Sequence, residues 1–278
     1  MRTMSIKKKL AVFIAALIIL PMSLLMIVSS FFLNGQVKTE EEKYLKSTLE
    51  IVSSDMQERR NDIQKVCQFF AEDDHIKDAL QANDSGQLNS NLQRLKRYYY
   101  KNIDYALAVD KNNALLAYVS PNVRYEANSK IAALAKQAMQ QKVIIQTTDI
   151  VSLEELFAIN SKEYDEFSVK LEEGFAGQDK YLRKALIELT IVPIMGKDNP
   201  DNTLGALIVA DIANSEYYFP EYISSRATEG FLILSVEGIR VATKATEGEE
   251  ITELVGTKAT KGQLTDNKDG QFFGTTYI

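Results

Sequence analysis

The spacing of apolar positions changes character three times along the chain. Residues 10–33, LAVFIAALIILPMSLLMIVSSFFL, contain no charge. A helix of that length, at ~1.5 Å per residue, reaches roughly 36 Å, enough for a hydrocarbon core of about 30 Å with some tilt. From 36 to 80 there is neither proline nor glycine, and Leu45, Leu49, Val52, Met56, Ile63, Val66 and Phe70 recur at steps of four and three, with Arg59 at the one broken step. This is the period of a long helix with one narrow apolar face, which either pairs with its copy in a second chain or lies along its own domain. Asn83-Asp84-Ser85-Gly86 interrupts it, and Leu88, Leu92 and Leu95 carry a second helix toward Tyr98, Tyr99 and Tyr100.

Beyond residue 100 the period becomes two. Segments 103–109 (IDYALAV) and 114–119 (ALLAYV) flank Asp110-Lys111-Asn112-Asn113 and predict a hairpin, since Asn tolerates positive φ. A short helix is expected over 129–141 and a strand from 143. Segments 185–195 and 204–212 flank a loop rich in turn formers and predict an antiparallel pair. Between them and Ile150, residues 151–184 hold eight acids and five bases, which predicts a helical insertion over the sheet. A further short helix is expected over 221–227, and 230–243 (GFLILSVEGIRVAT) repeats the strand, acidic turn, strand layout, with its turn at Glu237-Gly238. Residues 272–277 read as a strand whose partners are not in the chain, so a fragment of a longer protein is expected. The pattern as a whole predicts an α+β fold.

Charge and composition narrow the function. Arg2, Lys7, Lys8 and Lys9 precede the apolar stretch, whereas Glu40, Glu41 and Glu42 follow it closely. That asymmetry predicts a cytoplasmic N-terminus and an extracytoplasmic remainder. A cleaved signal peptide is the alternative, but signal cores run ~7–15 residues and end at small residues, whereas here Phe31-Phe32-Leu33 prolongs the apolar run. After the first nine residues the chain has 28 basic against 38 acidic side chains, a balance that repels nucleic acid. Cys67 and His75 are the only residues of their kinds, so an intramolecular disulfide, a thiolate metal site and a Cys/His pair are all excluded. Cys67 falls on the helical stripe and is expected to be buried. The acidic run Glu72-Asp73-Asp74-His75 is expected to be a solvated turn with Asp74 capping the next helix, because consecutive helical side chains do not converge on a metal. No catalytic constellation, metal site or cofactor is expected.

Asp211 ends an apolar run, GALIVAD, and is followed by Tyr217, Tyr218, Phe219, Pro220 and Tyr222. It reads either as a strand-end acid capping a turn or as a ligand contact. In order of parts the sequence resembles the double Cache sensor domains of bacterial transmembrane receptors. The anchor leads into a long helix, then IDYALAVDKNNALLAYVS, VRYEANSKIAALAKQAMQQ and LTIVPIMGKDNPDNTLGALIVADI, with GIRVATKATEGEEITELVGTK opening a second module. The resemblance covers roughly 35–278. It implies PAS-like antiparallel sheets with a small-molecule pocket in the membrane-distal module. In the amino-acid-binding branch an Arg followed by aromatics holds the ligand carboxylate, and an Asp ending the last strand receives its ammonium. Arg124 and Tyr125 fall near the first position and Asp211 at the second; Tyr105, Tyr118 and Glu188 complete the candidate set. The sequence departs from that pattern in having no Trp, and Glu126 stands where a second aromatic is expected.

These readings predict a cytoplasmic segment 1–9, a transmembrane helix 10–33, a helical stalk 34–98, a distal Cache-like module 99–215 and the incomplete start of a proximal module 216–278. The expected partners are the lipid bilayer, a second copy paired through the long helix, and an amino acid, organic acid or amine. The expected role is ligand sensing in chemotaxis or two-component signal transduction, with an output domain beyond residue 278. A singly anchored binding or adhesion protein and an anchored hydrolase are the alternatives.

Overall fold

The computed structural model describes residues 6–98, 103–172, 180–199, 201–214, 231–245 and 254–258; within 6–49 and at 231, 232 and 243–245, many side chains are outside the description. The chain divides into two units, Met1–Glu50 with Thr265–Ile278, and Ile51–Leu264. The expectations for Tyr99 and Tyr100, for 215–230 with its aromatics, and for the strand at 272–277 lie outside the described residues.

Helix α1 (Ile6–Glu72) is one continuous element that includes Pro21. In its first unit the described apolar side chains Ile19, Met22, Leu24, Leu25, Met26, Val28 and Phe32 all stand exposed. Among the described residues, no helix is long and apolar enough to cross a membrane; most side chains of 10–33 are not among them.

The second unit begins where α1 meets a core. Val52, Ile63, Cys67 and Ala71 are buried, with Met56, Val66 and Phe70 packed against the same clusters. The stripe of 52–70 therefore packs on this chain's own core. Cys67 is fully buried, as expected, and burial pushes its thiol up to about 12. Alkylation of the native protein at neutral pH is expected to leave Cys67 unmodified, with labelling only after denaturation; rapid labelling of the folded chain would contradict this placement.

Helix α1 stops at Glu72 because the Asp73 side chain caps α2 (Asp74–Gln81) by accepting the His75 N–H at 2.7 Å. The cap is thus Asp73, with Asp74 already inside the helix, and the run 72–75 is exposed to solvent. Helix α3 (Ser85–Tyr98) buries Leu88, Leu92 and Leu95, as its period predicts, and leaves Tyr98 exposed. Strands β1 (Tyr105–Asp110) and β2 (Leu115–Tyr118) form the first hairpin, with Asn113 at φ 66. Helix α4 (Lys130–Gln141) is capped by the Ser129 side chain and ends at Lys142 in the left-handed region.

Strand β3 (Ile145–Ser152) leads into an insertion that is not the expected helical layer. Its described residues hold two short helices, α5 (Leu153–Leu156) and α6 (Lys162–Glu166), and a two-residue ladder of β4 (Val169–Lys170) with β5 (Tyr181–Leu182). Ser152 and Ser161 start those helices as their N-caps, and each ends after a single turn at Phe157 and Phe167, which are buried in the core. Strands β6 (Lys184–Met195) and β7 (Thr203–Ile212) are the expected antiparallel pair. The main sheet is antiparallel in the order β2-β1-β7-β6-β3. At Gly205 a Cβ would run into the Val109 carbonyl oxygen, so the close β1–β7 approach requires glycine there. Strands β8 (Phe231–Val236) and β9 (Ile239–Ala245) form a separate hairpin, turned at Glu237 and Gly238 with φ 52 and 78. That is the positive-φ pair of a two-residue hairpin turn.

Candidate functional site

Side chains alternate between the faces of a sheet, so register assigns each residue to one side. Glu188 lies opposite Asp211, and Leu189 opposite Ala210, which in turn lies opposite Tyr105. Asp211 and Glu188 therefore share one face, and Tyr105 stands on the other. Leu107 shares the face of Tyr105 and lies opposite Tyr118, which puts Tyr118 there too.

The face of Asp211 is covered by α1. Arg59, at the broken step of the apolar stripe, donates from Nη2 to Asp211 Oδ2, with both side chains almost completely buried. The next residue, Arg60, places Nε 3.7 Å from Glu188 Oε1, and its carbonyl accepts from the Gln146 side-chain amide Nε2 at 2.9 Å. Two successive residues of one helix thus reach acids on the adjacent strands β6 and β7. Two acids directly opposite each other on neighbouring strands would repel, and the guanidinium groups offset that. Glu188 is only 5 % exposed, and its Oε2 has no hydrogen-bond partner among the described residues. Asp104, just before β1, donates its backbone N–H to the Ala210 carbonyl at 3.0 Å and accepts the Ile212 N–H on Oδ2 at 2.9 Å, the two residues that flank Asp211. Burial pushes both aspartates above the ordinary carboxylate range; Arg59 alone would hold Asp211 low, but burial and the neighbouring Asp104 outweigh it.

The opposite face carries the other candidates. Tyr105 is fully buried against Phe157 and donates its hydroxyl to the Arg124 carbonyl at 2.9 Å. Tyr125 donates to Asn113 Oδ1 at 2.6 Å, and burial pushes its hydroxyl up to about 12. The Arg124 guanidinium is 42 % exposed; it contacts Glu126 at 3.2 Å and the Glu154 carbonyl at 3.4 Å. The expected two-ended site is therefore not assembled: Arg124 and Tyr125 are separated by the sheet from Asp211 and Glu188, and Asp211 already has a cation. The residues missed from sequence are Arg59, Arg60 and Asp104. Only the break in the stripe at Arg59 signalled one of them.

Among the described residues no group of acids, His and Cys is placed to hold a metal ion. No protein-family model and no curated protein sequence matches the chain. Solved structures do show a likeness. With the periplasmic domain of Vibrio cholerae LuxQ the TM-score is 0.47 at 13 % identity, over 74 % of this chain and 81 % of that one. With the ligand-binding domain of the Campylobacter jejuni chemoreceptor Tlp3, solved in complex with L-valine, it is 0.40 at 10 % identity, over 74 % and 70 %. With a methyl-accepting chemotaxis protein X it is 0.42 at 12 % identity, over 82 % and 80 %. These are sensor and receptor domains of the kind the sequence resembles, and the likeness is one of fold outline.

Proposed function

We propose that this chain is the extracytoplasmic sensing part of a membrane-anchored signalling receptor. The carrying observation is that one helix, α1, holds the uncharged stretch 10–33 and also the two arginines that enter the charge cluster of the sheet. In this reading 10–33 is the anchor, and a small molecule held by the sheet changes how firmly α1 is gripped. A ligand shifts such an equilibrium only by its difference in affinity for the two states. Pairing of two copies through α1 before Ile51 belongs to the same proposal, as does the absence of a catalytic role.

The ligand we favour is an organic acid held on the face of Tyr105 and Tyr118, with Arg124 exchanging Glu126 for the ligand carboxylate and Tyr125 beside it. A guanidinium and a carboxylate match in a two-pronged geometry. The acid that would receive an ammonium group, Asp211, is turned to the other face and engaged by Arg59, which disfavours amines. Thermal-shift measurements on the full chain in detergent micelles, with organic acids, amino acids and amines, are expected to show a rise in Tm for organic acids that Arg124→Ala abolishes. A hit indifferent to Arg124→Ala would sink the site. Retention of the chain in membranes after alkaline extraction is expected of the anchor; a mature N-terminus beyond residue 30 would rule it out.

A further inference from the structure

We infer that the insertion between β3 and β6 is a coupling strap: it carries the state of the face of Tyr105 and Arg124 to the β8–β9 hairpin, and Gly256 is the point where it takes hold. Only the trigger, a bound small molecule, rests on the function proposed above. The coupling rests on the joint itself and its test needs no ligand, so the two readings fail separately.

The near end of the strap lies against the candidate face. Phe157 meets Tyr105 edge-on, with centroids 6.1 Å apart, and stacks on Phe167 at 5.8 Å. Backbone bonds hold the same segment to residues 122–124: the Arg124 N–H donates to the Leu156 carbonyl at 2.8 Å, and the Ala158 N–H to the Asn122 carbonyl at 2.7 Å. The Glu163 carboxylate of α6 accepts from Ser120 Oγ at 2.6 Å and from Asn122 Nδ2 at 2.8 Å. Asn214, buried just past the end of β7, donates from Nδ2 to the Phe167 carbonyl at 3.3 Å and to the Lys184 carbonyl at 2.7 Å, and its Oδ1 accepts the Leu186 N–H at 3.1 Å. Phe167 is thus held by its ring and by its carbonyl.

The far end joins the hairpin through one residue. Gly256 donates its N–H to the Arg240 carbonyl of β9 at 2.9 Å, and its own carbonyl accepts the Glu172 N–H at 3.3 Å. Its φ is 85, and a Cβ there would run into the Lys170 carbonyl oxygen, so this approach of strap to hairpin requires glycine. Beside it, Val169 of β4 shares a buried cluster with Val236 of β8 and Val241 of β9. Only Ser168 and Val169 separate Phe167 from Lys170, and the Ser168 hydroxyl is bonded to the Tyr164 carbonyl at 2.6 Å. Little chain is left to absorb a shift of Phe167 before it reaches Gly256. Packed side chains and hydrogen bonds in series of this kind carry coupling between sites. By linkage the influence runs both ways, so loosening the hairpin end loosens the near end too.

Hydrogen exchange of the full chain in detergent micelles, read by mass spectrometry, tests this with Phe157→Leu, Gly256→Ala and the double variant. Phe157→Leu disturbs the near end while keeping most of its volume filled. It is expected to speed exchange in the hairpin, over 233–242, by about fivefold, the low end of coupling between sites, and to leave α3 unchanged. Gly256→Ala is expected to speed exchange over 233–242 and, by reciprocity, over 153–167; adding Phe157→Leu to it is expected to change the hairpin no further. A hairpin indifferent to Phe157→Leu would overturn the proposal, as would an equal rise in α3, which means general loosening. So would a Phe157→Leu effect on the hairpin that persists in full beside Gly256→Ala, because the coupling would then run through Leu186 and Leu234 and not through the strap. If Gly256→Ala does not fold, Glu172→Pro, which removes the N–H donated to Gly256, takes its place with the same expectations.

Discussion

Arg59→Ala is expected to destabilise the protein by about 3–5 kcal/mol, the cost of leaving one partner of a buried ion pair alone. Both side chains are nearly inaccessible, so water cannot take over from the guanidinium. The loss reaches further than one bond, because Asp211 would then face Asp104 and Glu188 without its nearest positive charge. Protonation of Asp211 recovers part of that, which places the expected value toward the lower end near neutral pH. For a unit of this size each kcal/mol lowers Tm by about 2–4 °C, so a drop of roughly 6–20 °C is expected in thermal denaturation. The paired replacement Arg59→Met with Asp211→Leu removes both charges and is expected to recover most of the loss, since a buried pair is often no better than well-packed apolar side chains. A change of less than about 1 kcal/mol for Arg59→Ala would mean the pair is solvated.

Phe157→Ala is expected to cost a similar amount, about 3–5 kcal/mol, through lost burial and the cavity left behind. Phe157 is fully buried between two rings, edge-on to Tyr105 with centroids 6.1 Å apart and stacked on Phe167 at 5.8 Å. It also forms an isolated bridge to Val123, beside the Arg124 backbone. The variant is therefore expected to weaken binding on that face as well as the fold, because Tyr105 both packs on Phe157 and bonds the Arg124 carbonyl. Phe157→Leu, which refills most of the volume, is expected to cost markedly less. Arg59 and Phe157 act on opposite faces of one sheet and share no partner, so the double mutant should be additive within about 0.5 kcal/mol. A large departure from additivity in denaturant titrations would show that the two faces communicate energetically. Full additivity is expected of the ground state.

Much of the chain's local structure was legible from pattern alone. The hairpin turns at Asn113 and Glu237-Gly238, the buried faces of α3 and the strand pair β6–β7 follow from period and turn chemistry, which act over a few residues. The insertion 151–184 was misread because its polar composition fits exposed helix and irregular structure equally. Ser152 and Ser161 each open a helix of a single turn that ends at a buried phenylalanine, Phe157 or Phe167, which carries the segment into the core.

The site divides along the same line. Sequence by itself determined that Asp211 ends a buried strand, that an apolar stripe runs along a long helix, and that Arg59 breaks it. Only the tertiary structure decided that these two irregularities meet. Residues 152 positions apart become partners through the β2-β1-β7-β6-β3 strand order and the register of Glu188 with Asp211. The physical reason is parity: a strand sends successive side chains to opposite faces, so one step in register turns Asp211 away from Arg124 and toward α1. No one-dimensional pattern records which side of a sheet a helix will cover.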